Sequence, residues 1–190
     1  MLAATCELPQ PGDYKAMDVA GVPVLIMRGK DGVARAFLNG CTHRGARLAE
    51  GCGHASRLTC PYHAWSFGTD GRLLAIAARD LFGEPDHADL GLIGFPTQER
   101  AGLFWAILDP AATSAGFDAF LHGIDAQLEG FGFAGWSHFR SQAMSGANWK
   151  LAFDAHLEFY HLPVLHRNTF GPQMSNLAQY YAIGPHQRLG

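Results

Sequence analysis

The chain has 190 residues, enough for one large domain or for one small domain and part of another. Its 48% hydrophobic and 16% charged residues are typical of a globular protein and exclude a largely disordered one. The net charge of −3 gives no basic surface for nucleic acid, and no apolar run approaches the ~20 residues that span a membrane. Four cysteines do not form a disulfide framework, and the N-terminus carries no secretory signal. We therefore expect a cytoplasmic protein that binds neither nucleic acid nor membrane.

Short antiparallel strands are predicted in the first half of the chain. Residues 22–28 and 33–38 are rich in β-branched and apolar side chains, and they flank an Asp-Gly turn that indicates a hairpin. A second Asp-Gly turn lies between residues 65–67 and 72–74 and predicts a second hairpin. Residues 103–108 are another candidate for a buried strand. These segments predict a small antiparallel β module.

The pattern changes in the second half of the chain. Residues 117–128 have the apolar spacing of a helix, and residues 148–161 contain no Gly or Pro and are long enough for another helix. Pro163 follows and is expected to end or kink that helix. We therefore predict two domains, the β module over residues 1–112 and a second domain over residues 113–190.

Two short motifs in the predicted β module combine thiols with imidazoles. Cys41-Thr-His43 and Cys60-Pro-Tyr-His63 are separated by sixteen residues. Two irons bridged by two sulfides need this mixture if one iron takes the thiolates and the other takes the imidazoles. The neutral imidazoles would raise the reduction potential above that of an all-cysteine cluster. Two cysteines and two histidines also suit tetrahedral zinc, so the spacing alone leaves both kinds of metal site open.

A third cysteine lies between the two motifs. Cys52-Gly53-His54 has the same Cys-x-His form, but only five residues separate His54 from Cys60. So short a connection leaves little chain to reach the far side of a cluster. We therefore interpret Cys52 as a turn residue with a free thiol.

The residues around the two motifs are more specific than their spacing. The first loop reads N-G-C-T-H-R-G-A-R-L over residues 39–48, and the second reads C-P-Y-H-A-W over residues 60–65. Together they resemble the Rieske [2Fe–2S] signature, in which C-x-H is followed by R-G-x-x-L and later by C-P-x-H-x-W. One departure is Ala64, where the family most often has Gly, and this added methyl group does not weaken the resemblance. The resemblance disfavours zinc and implies a [2Fe–2S] cluster whose ligands are Cys41, His43, Cys60 and His63.

A second group of candidate ligands lies on the helix predicted over residues 148–161. Asp154, Glu158 and His161 fall at i, i+4 and i+7 and would therefore share one face. His166 follows after the expected bend. A non-heme Fe(II) that activates O₂ typically binds two histidines and one carboxylate and keeps positions open for oxygen. His161 and His166 can converge on one such ion because the chain bends between them, although a histidine on an apolar helix is more often a core residue than a ligand.

These residues belong to a longer pattern. N-W-K over residues 148–150, then Glu158-x-Tyr160-His161 and His166, resemble the start of the catalytic domain of Rieske non-heme iron oxygenases. The chain as a whole is similar to the N-terminal part of a ring-hydroxylating oxygenase large (alpha) subunit, in which these two histidines bind the mononuclear Fe(II). The resemblance implies a mainly β fold. An antiparallel Rieske β module would be followed by the opening segment of an α+β helix-grip catalytic domain of the Bet v 1/START-like type.

The resemblance also implies a role for Glu158, at the position of the family's bridging carboxylate, which is usually Asp. In the family, the cluster histidine of one subunit, here His63, hydrogen-bonds this carboxylate of its neighbour, and the carboxylate holds the iron ligand, here His161. Glu158 would thus provide an inter-subunit electron bridge. Because the two metals of one subunit are too far apart for useful transfer, a homotrimer is implied for the complete protein. Asp154 either supports this network or is an ordinary solvated carboxylate.

The third iron ligand of the family is a carboxylate far downstream. No Asp or Glu occurs in residues 167–190 of this chain. We therefore expect that the chain is a truncated relative or a fragment that lacks most of the substrate pocket.

The function that the resemblance implies is that of an oxidoreductase. A reductase or ferredoxin would supply single electrons to the Rieske cluster, and the mononuclear iron would use them to activate O₂. A small organic substrate, such as an aromatic compound, would be hydroxylated by a monooxygenase or dioxygenase reaction. Because the third ligand is absent from this chain, the alternative is a Rieske ferredoxin-like electron carrier without catalysis of its own. A zinc-stabilised binding module is a third hypothesis.

Overall fold

The computed structural model describes residues 1–82, 90–140, 142, 144–171 and 175–189. The chain divides into two compact units. The first contains Met1–Phe117 and Ala126–His138, and the second contains Asp118–Asp125 and Phe139–Gly190. The domain boundary expected after residue 112 stays a prediction.

Among the described residues, the first unit is built around eleven short antiparallel strands. In chain order they are β1 (Ala3–Ala4), β2 (Asp13–Val19), β3 (Val22–Arg28), β4 (Ala34–Leu38), β5 (Cys52–His54), β6 (Arg57–Thr59), β7 (Ser66–Gly68), β8 (Leu73–Ala75), β9 (Gly94–Phe95), β10 (Thr97–Arg100) and β11 (Leu103–Ala106). They form a five-stranded sheet of order β5-β2-β3-β4-β9 and two three-stranded sheets of order β1-β11-β10 and β6-β7-β8. The mainly β fold class is confirmed.

Both hairpins predicted from Asp-Gly turns are present. Strand β3 pairs with β4, and β7 pairs with β8, each antiparallel. Two further hairpins, β2–β3 and β10–β11, turn through Ala20-Gly21 and Ala101-Gly102, in which every residue has a positive φ. Two-residue turns of this kind match the twist of the strands. Alanine rarely adopts a positive φ, so these two turns carry no recognisable sequence signal.

Strand β3 is buried on both sides and connects two apolar cores. Leu25 and Met27 are fully buried in the first core, whereas Val24 and Ile26 are fully buried in the second. Successive side chains of a strand point to opposite faces, so a single strand can support both cores. The first core also contains the cysteines of both predicted ligand motifs, Cys41 and Cys60.

Short helices and one more hairpin are the other elements of the described residues. The α-helices are α1 (Ala115–Leu121), α2 (Ile124–Glu129), α3 (Trp149–His156), α4 (Leu162–Leu165) and α5 (Arg167–Phe170). Strands β12 (Tyr180–Ile183) and β13 (His186–Leu189) pair antiparallel. Short 3₁₀ helices cover Thr5–Glu7, Arg79–Leu81 and Phe133–Gly135. Within the described ranges, no helix has the length and apolar character needed to cross a membrane.

The helix predicted over residues 148–161 is wrong in its second half. Helix α3 ends at His156, so Glu158 lies beyond it and shares no helical face with residues of α3. The Glu158 carboxylate accepts a hydrogen bond from the backbone amide of His161 at 3.1 Å, and such a local bond competes with helical backbone pairing. Pro163 does not end the helix. It lies in the first turn of α4, where its missing N–H needs no helical partner.

The helical pattern over residues 117–128 is interrupted once. His122 and Gly123 have φ values of +48° and +84°, in the left-handed region. They separate α1 from α2, so the predicted helix is two shorter ones.

The glycines of the two Asp-Gly turns, Gly32 and Gly71, share a positive φ but differ in how closely other side chains approach them. Gly71 has a φ of +85°, and a Cβ there would lie 2.4 Å from Cε1 of Phe37. Gly32 has a φ of +79°, but no heavy atom of the described residues lies within 4 Å of its Cβ position. Gly32→Ala should lower the free energy of unfolding by about 1 kcal/mol through backbone strain. Gly71→Ala should lower it by about 1–3 kcal/mol more because it also overpacks the turn. Urea unfolding measures both, and equal losses would contradict the contact with Phe37.

Candidate metal centres

The two predicted ligand loops have the same backbone closure. In each loop the cysteine amide donates a hydrogen bond to the carbonyl five residues later, and the pairs are Cys41–Ala46 at 2.8 Å and Cys60–Trp65 at 2.8 Å. The cysteine carbonyl accepts a hydrogen bond from the amide four residues later, and these pairs are Cys41–Gly45 at 2.7 Å and Cys60–Ala64 at 3.0 Å. The loops therefore hold their cysteines in equivalent positions, although the histidine follows two residues later in one loop and three in the other.

The residue four positions after each cysteine has a left-handed backbone. It is Gly45 in the first loop, with a φ of +73°, and Ala64 in the second, with a φ of +56°. Glycine adopts this conformation freely, whereas a Cβ adds about 1–2 kcal/mol of steric strain. The methyl group of Ala64 therefore falls where the backbone favours glycine.

The side chain of Asn39 connects the two ends of the first loop by hydrogen bonds. Its buried side-chain amide donates to the Ala49 carbonyl at 2.8 Å, and its Oδ1 accepts from the amides of Leu48 at 3.1 Å and Ala49 at 3.3 Å. These bonds join the chain before Cys41 to the chain after it. The sequence motif included Asn39 without a role, and a buried amide that must be hydrogen-bonded is the signal that could have assigned one.

The two thiols are buried and adjacent. Cys41 and Cys60 are each 3% exposed, and their side chains hydrogen-bond each other. Backbone amides of His43 and Arg44 donate to the sulfur of Cys41, and those of Tyr62 and His63 donate to the sulfur of Cys60. Burial raises the pKa of the Cys60 thiol, but its amide donors outweigh burial and leave that pKa below its usual value. At Cys41, burial and the neighbouring Cys60 thiol outweigh the amide donors and raise the pKa, so the amides leave only one of the two thiols with a lowered pKa.

The two imidazoles also face each other. The ring centroids of His43 and His63 lie 4.6 Å apart with an interplanar angle of 66°. Nδ1 of His43 is buried and has no hydrogen-bond partner among the described residues, so a metal ion would supply the partner that this atom lacks. Burial and the nearby charge of His63 lower the pKa of His43, which favours the neutral imidazole that binds metal.

This arrangement fits a [2Fe–2S] cluster better than a single zinc ion. The thiols pair with each other and the imidazoles pair with each other, which gives one pair of donors to each iron. A tetrahedral zinc site would gather all four donors around one ion. In the part of the chain that the structure describes, no three or more His, Cys, Asp or Glu side chains are grouped to hold a metal ion.

Cys52 and His54 lie in a different setting. Both belong to the edge strand β5 and are exposed. Nδ1 of His54 lies 2.9 Å from Oδ1 of Asp13, on the neighbouring strand β2. This ion-pair geometry gives His54 a partner within the sheet, and it agrees with the interpretation of Cys52 as a free thiol.

The structure brings together three of the residues predicted for the second site. Oε2 of Glu158 accepts the backbone amide of His161, and Oε1 contacts Nδ1 of the same residue. The hydrogen bond from His161 holds the pKa of Glu158 below its usual value, so the carboxylate is ionised at neutral pH. With Nδ1 engaged, Nε2 of His161 remains available to a metal. The ring of His166 lies 5.4 Å from that of His161, centroid to centroid.

A cleft of about 540 Å³ adjoins these histidines, and its apolar lining includes Phe159, Leu162, Leu165 and Phe170. Asp154 does not join the site. It lies on α3, is exposed, and its carboxylate makes no hydrogen bond to the other described residues. The predicted face shared by Asp154, Glu158 and His161 is therefore wrong, because the helix ends first.

Comparison with known proteins finds a match for the region of each candidate metal centre. Residues 1–82 match the Rieske [2Fe-2S] domain, and residues 133–190 match the catalytic domain of the ring hydroxylating alpha subunit. The chain therefore carries the two kinds of domain found in Rieske oxygenase alpha subunits, and these domains imply a Rieske cluster and non-heme iron as cofactors. Oxygenases of this family take electrons from a reductase or ferredoxin and act on small organic substrates.

Two curated relatives are named for their substrates. The chain is 35% identical over 171 residues to the carnitine monooxygenase oxygenase subunit of Acinetobacter baumannii, and the match covers 87% of this chain and 45% of that protein. It is 32% identical over 159 residues to the glycine betaine monooxygenase oxygenase subunit of Pseudomonas aeruginosa, covering 83% of this chain and 36% of that protein. The chain thus spans less than half the length of these relatives.

Solved structures of Rieske oxygenases have a fold similar to that of this chain. The quaternary ammonium Rieske monooxygenase CntA bound to L-carnitine has a TM-score of 0.83 at 33% identity, covering 95% of this chain and 52% of that chain. Naphthalene 1,2-dioxygenase from Rhodococcus sp. has a TM-score of 0.77 at 27% identity, covering 95% of this chain and 44% of that chain. The predictions of family, fold class and cofactors are confirmed, whereas the ligand roles of individual residues stay predictions.

Gly45 and Ala64, the two residues with a left-handed backbone, predict opposite changes of stability when each is replaced by the residue found in the other loop. Ala64→Gly should raise the stability of the cluster-loaded chain by about 0.5–1 kcal/mol because it relieves strain. Gly45→Ala should lower stability by about as much, since no heavy atom of the described residues crowds its Cβ position and strain alone is added. Thermal unfolding should shift by about 2–4 °C per kcal/mol in opposite directions. Shifts of the same sign would contradict the equivalence of the loops.

Cysteine substitutions test which thiols hold the cluster. Cys60→Ser should abolish it, reducing the iron and acid-labile sulfide of the first unit from about two each per chain to none. Cys52→Ser is the matched control and should retain both, because Cys52 lies on the exposed edge strand. Iron and sulfide analysis with visible spectroscopy checks both variants. Loss of the cluster in Cys52→Ser would refute the assignment of this cysteine.

Proposed function

We propose that this chain carries the redox and iron-binding parts of a Rieske oxygenase alpha subunit. Cys41 and Cys60 hold one iron of the cluster, His43 and His63 hold the other, and the mononuclear iron is held by His161 and His166. When bound, the cluster supplies one-electron transfer and the mononuclear iron supplies activation of O₂ for hydroxylation. The observation that carries the proposal is the separation of sulfur and nitrogen donors into two pairs on matching loops.

The chain's own residues prepare these sites in distinct ways. Each cysteine sulfur accepts two backbone amides, and these donors outweigh burial at Cys60, where the lowered pKa favours the thiolate that binds iron. The lowered pKa of His43 keeps that imidazole neutral. Glu158 orients His161 by contacting both its ring and its backbone, as carboxylates commonly do for metal-binding histidines.

Glu158 is also suited to bridge two subunits. An ionised carboxylate offers about four acceptor sites, and the two bonds to His161 leave others for an imidazole N–H from a second chain. His63 is exposed and can reach such a partner. We therefore propose that His63 of one subunit donates to Glu158 of the next, which makes a homotrimer the functional assembly.

The substrate class follows from the relatives and the cleft. Those named above act on carnitine and glycine betaine, and a solved relative is titled a quaternary ammonium monooxygenase. Phe159 and Phe170 line the cleft beside the two histidines, and aromatic faces attract organic cations. We propose monooxygenation of a small quaternary ammonium compound, in preference to an aromatic one, with electrons from a reductase or ferredoxin. Because all four cysteines are free, we propose a cytoplasmic location.

Metal analysis of anaerobically purified chain tests the proposal. We expect about two irons and two sulfides from the cluster, and a further Fe(II) that binds on titration. A variant with both His161→Ala and His166→Ala should lose only that further iron and keep the cluster. Zinc in place of iron would contradict the Rieske assignment. A cluster without any further iron would favour the electron carrier, and substrate-dependent O₂ uptake would favour the oxygenase.

Neutralising Glu158 tests the bridge. Glu158→Gln preserves size but removes the ionised acceptor, so both metals should remain bound while turnover falls by about 10- to 100-fold in a version of the protein that turns over. Asp154→Asn is the matched control and should change turnover little, because the Asp154 carboxylate is exposed on α3. Metal content and O₂ consumption are measured together. Unchanged turnover in Glu158→Gln would remove this residue from the electron path.

A further inference from the structure

Phe82 lies outside both ligand motifs but packs against their side chains. It follows the 3₁₀ helix Arg79–Leu81. Its ring meets the ring of His43 at a centroid distance of 5.8 Å and that of Trp65 at 5.7 Å, both in T-shaped geometry. Trp65 stacks on His43 at 4.8 Å with an interplanar angle of 7°. Two aromatic rings therefore cover His43, and only one of them belongs to a ligand motif.

Phe82 is the outer ring of this stack. Trp65 is 4% exposed, whereas Phe82 is 41% exposed, so Phe82 forms the boundary between His43 and water. Among the described residues, no buried aromatic ring covers the other imidazole in the same way. His63 is exposed, and the Tyr62 ring that lies 3.8 Å from it is itself 64% exposed. The two histidines thus differ in their access to solvent, and Phe82 contributes to this difference.

Solvent access affects the two redox states of such a cluster unequally. With two thiolates and two neutral imidazoles, the cluster is neutral when both irons are ferric and carries one negative charge after it gains one electron. Water stabilises the charged state more than the neutral one, so an apolar cover disfavours reduction. We propose that Phe82 is a positioning residue that keeps water from His43, lowers the reduction potential and slows electron loss through this side of the site. This inference rests on the proposed cluster ligands.

Three variants of the cluster-loaded chain test this role. Phe82→Ala removes the cover, Phe82→Leu keeps most of its apolar bulk, and Leu81→Ala is a control at the preceding residue, whose side chain is 83% exposed. A redox titration gives the reduction potential. Stopped-flow mixing of the reduced chain with ferricyanide, which accepts one electron to become ferrocyanide, gives the rate of electron loss.

We expect Phe82→Ala to show a higher potential and a severalfold faster reaction, with Phe82→Leu close to wild type and Leu81→Ala unchanged. A lowered unfolding temperature without a change in potential or rate would mean that Phe82 is merely structural and would overturn the inference. An equal shift in Leu81→Ala would also overturn it. A wild-type chain without a Rieske spectrum would overturn the ligand proposal together with this inference, so the two failures are distinguishable.

Discussion

The arrangement of the first site depends on the pair of backbone hydrogen bonds that closes each ligand loop around its cysteine. Because the cysteine amide and carbonyl are both used within the loop, the sulfur is held inward while the next amides turn toward it. A buried thiolate without such donors would be strongly disfavoured, since burial alone penalises charge. The amide donors of each loop offset part of this penalty, and at Cys60 they outweigh it. The histidines need no equivalent help because a neutral imidazole carries no charge to bury.

Strand β3 makes this geometry rigid. Its alternate residues complete two cores, and the ligand cysteines belong to the core that contains Leu25 and Met27. Close packing transmits small changes of volume, so the position of the sulfurs is coupled to side chains on the strand beneath them. The Asn39 side chain adds a second restraint by joining both ends of the first loop through buried hydrogen bonds. The site is therefore placed on packed strands, although its ligands lie on loops.

The first site was largely predictable from sequence because its chemistry needs ligands at short spacing, and Cys41-Thr-His43 with Cys60-Pro-Tyr-His63 shows that spacing directly. For the second group of candidate ligands, the predicted shared helical face is absent and Asp154 lies apart, while the ligand roles of His161 and His166 stay predictions. A helical pattern over residues 148–161 says nothing about the Glu158 side chain, which bonds the amide of His161 and replaces the helix with a turn. The contact of Phe82 with His43 was invisible for a related reason, since it depends on how a distant segment folds back and not on any local pattern.

The two ends of the first site differ in a way that determines where a redox partner can approach. The thiols are 3% exposed and lie in the core, and His43 is covered by aromatic rings. His63 is the exposed side chain of the four. Because electron transfer weakens steeply as distance grows, a redox partner of the proposed cluster would approach most closely at His63. In the proposed contact with a neighbouring subunit, the Glu158 carboxylate would already be ionised and oriented by His161 before the two chains meet.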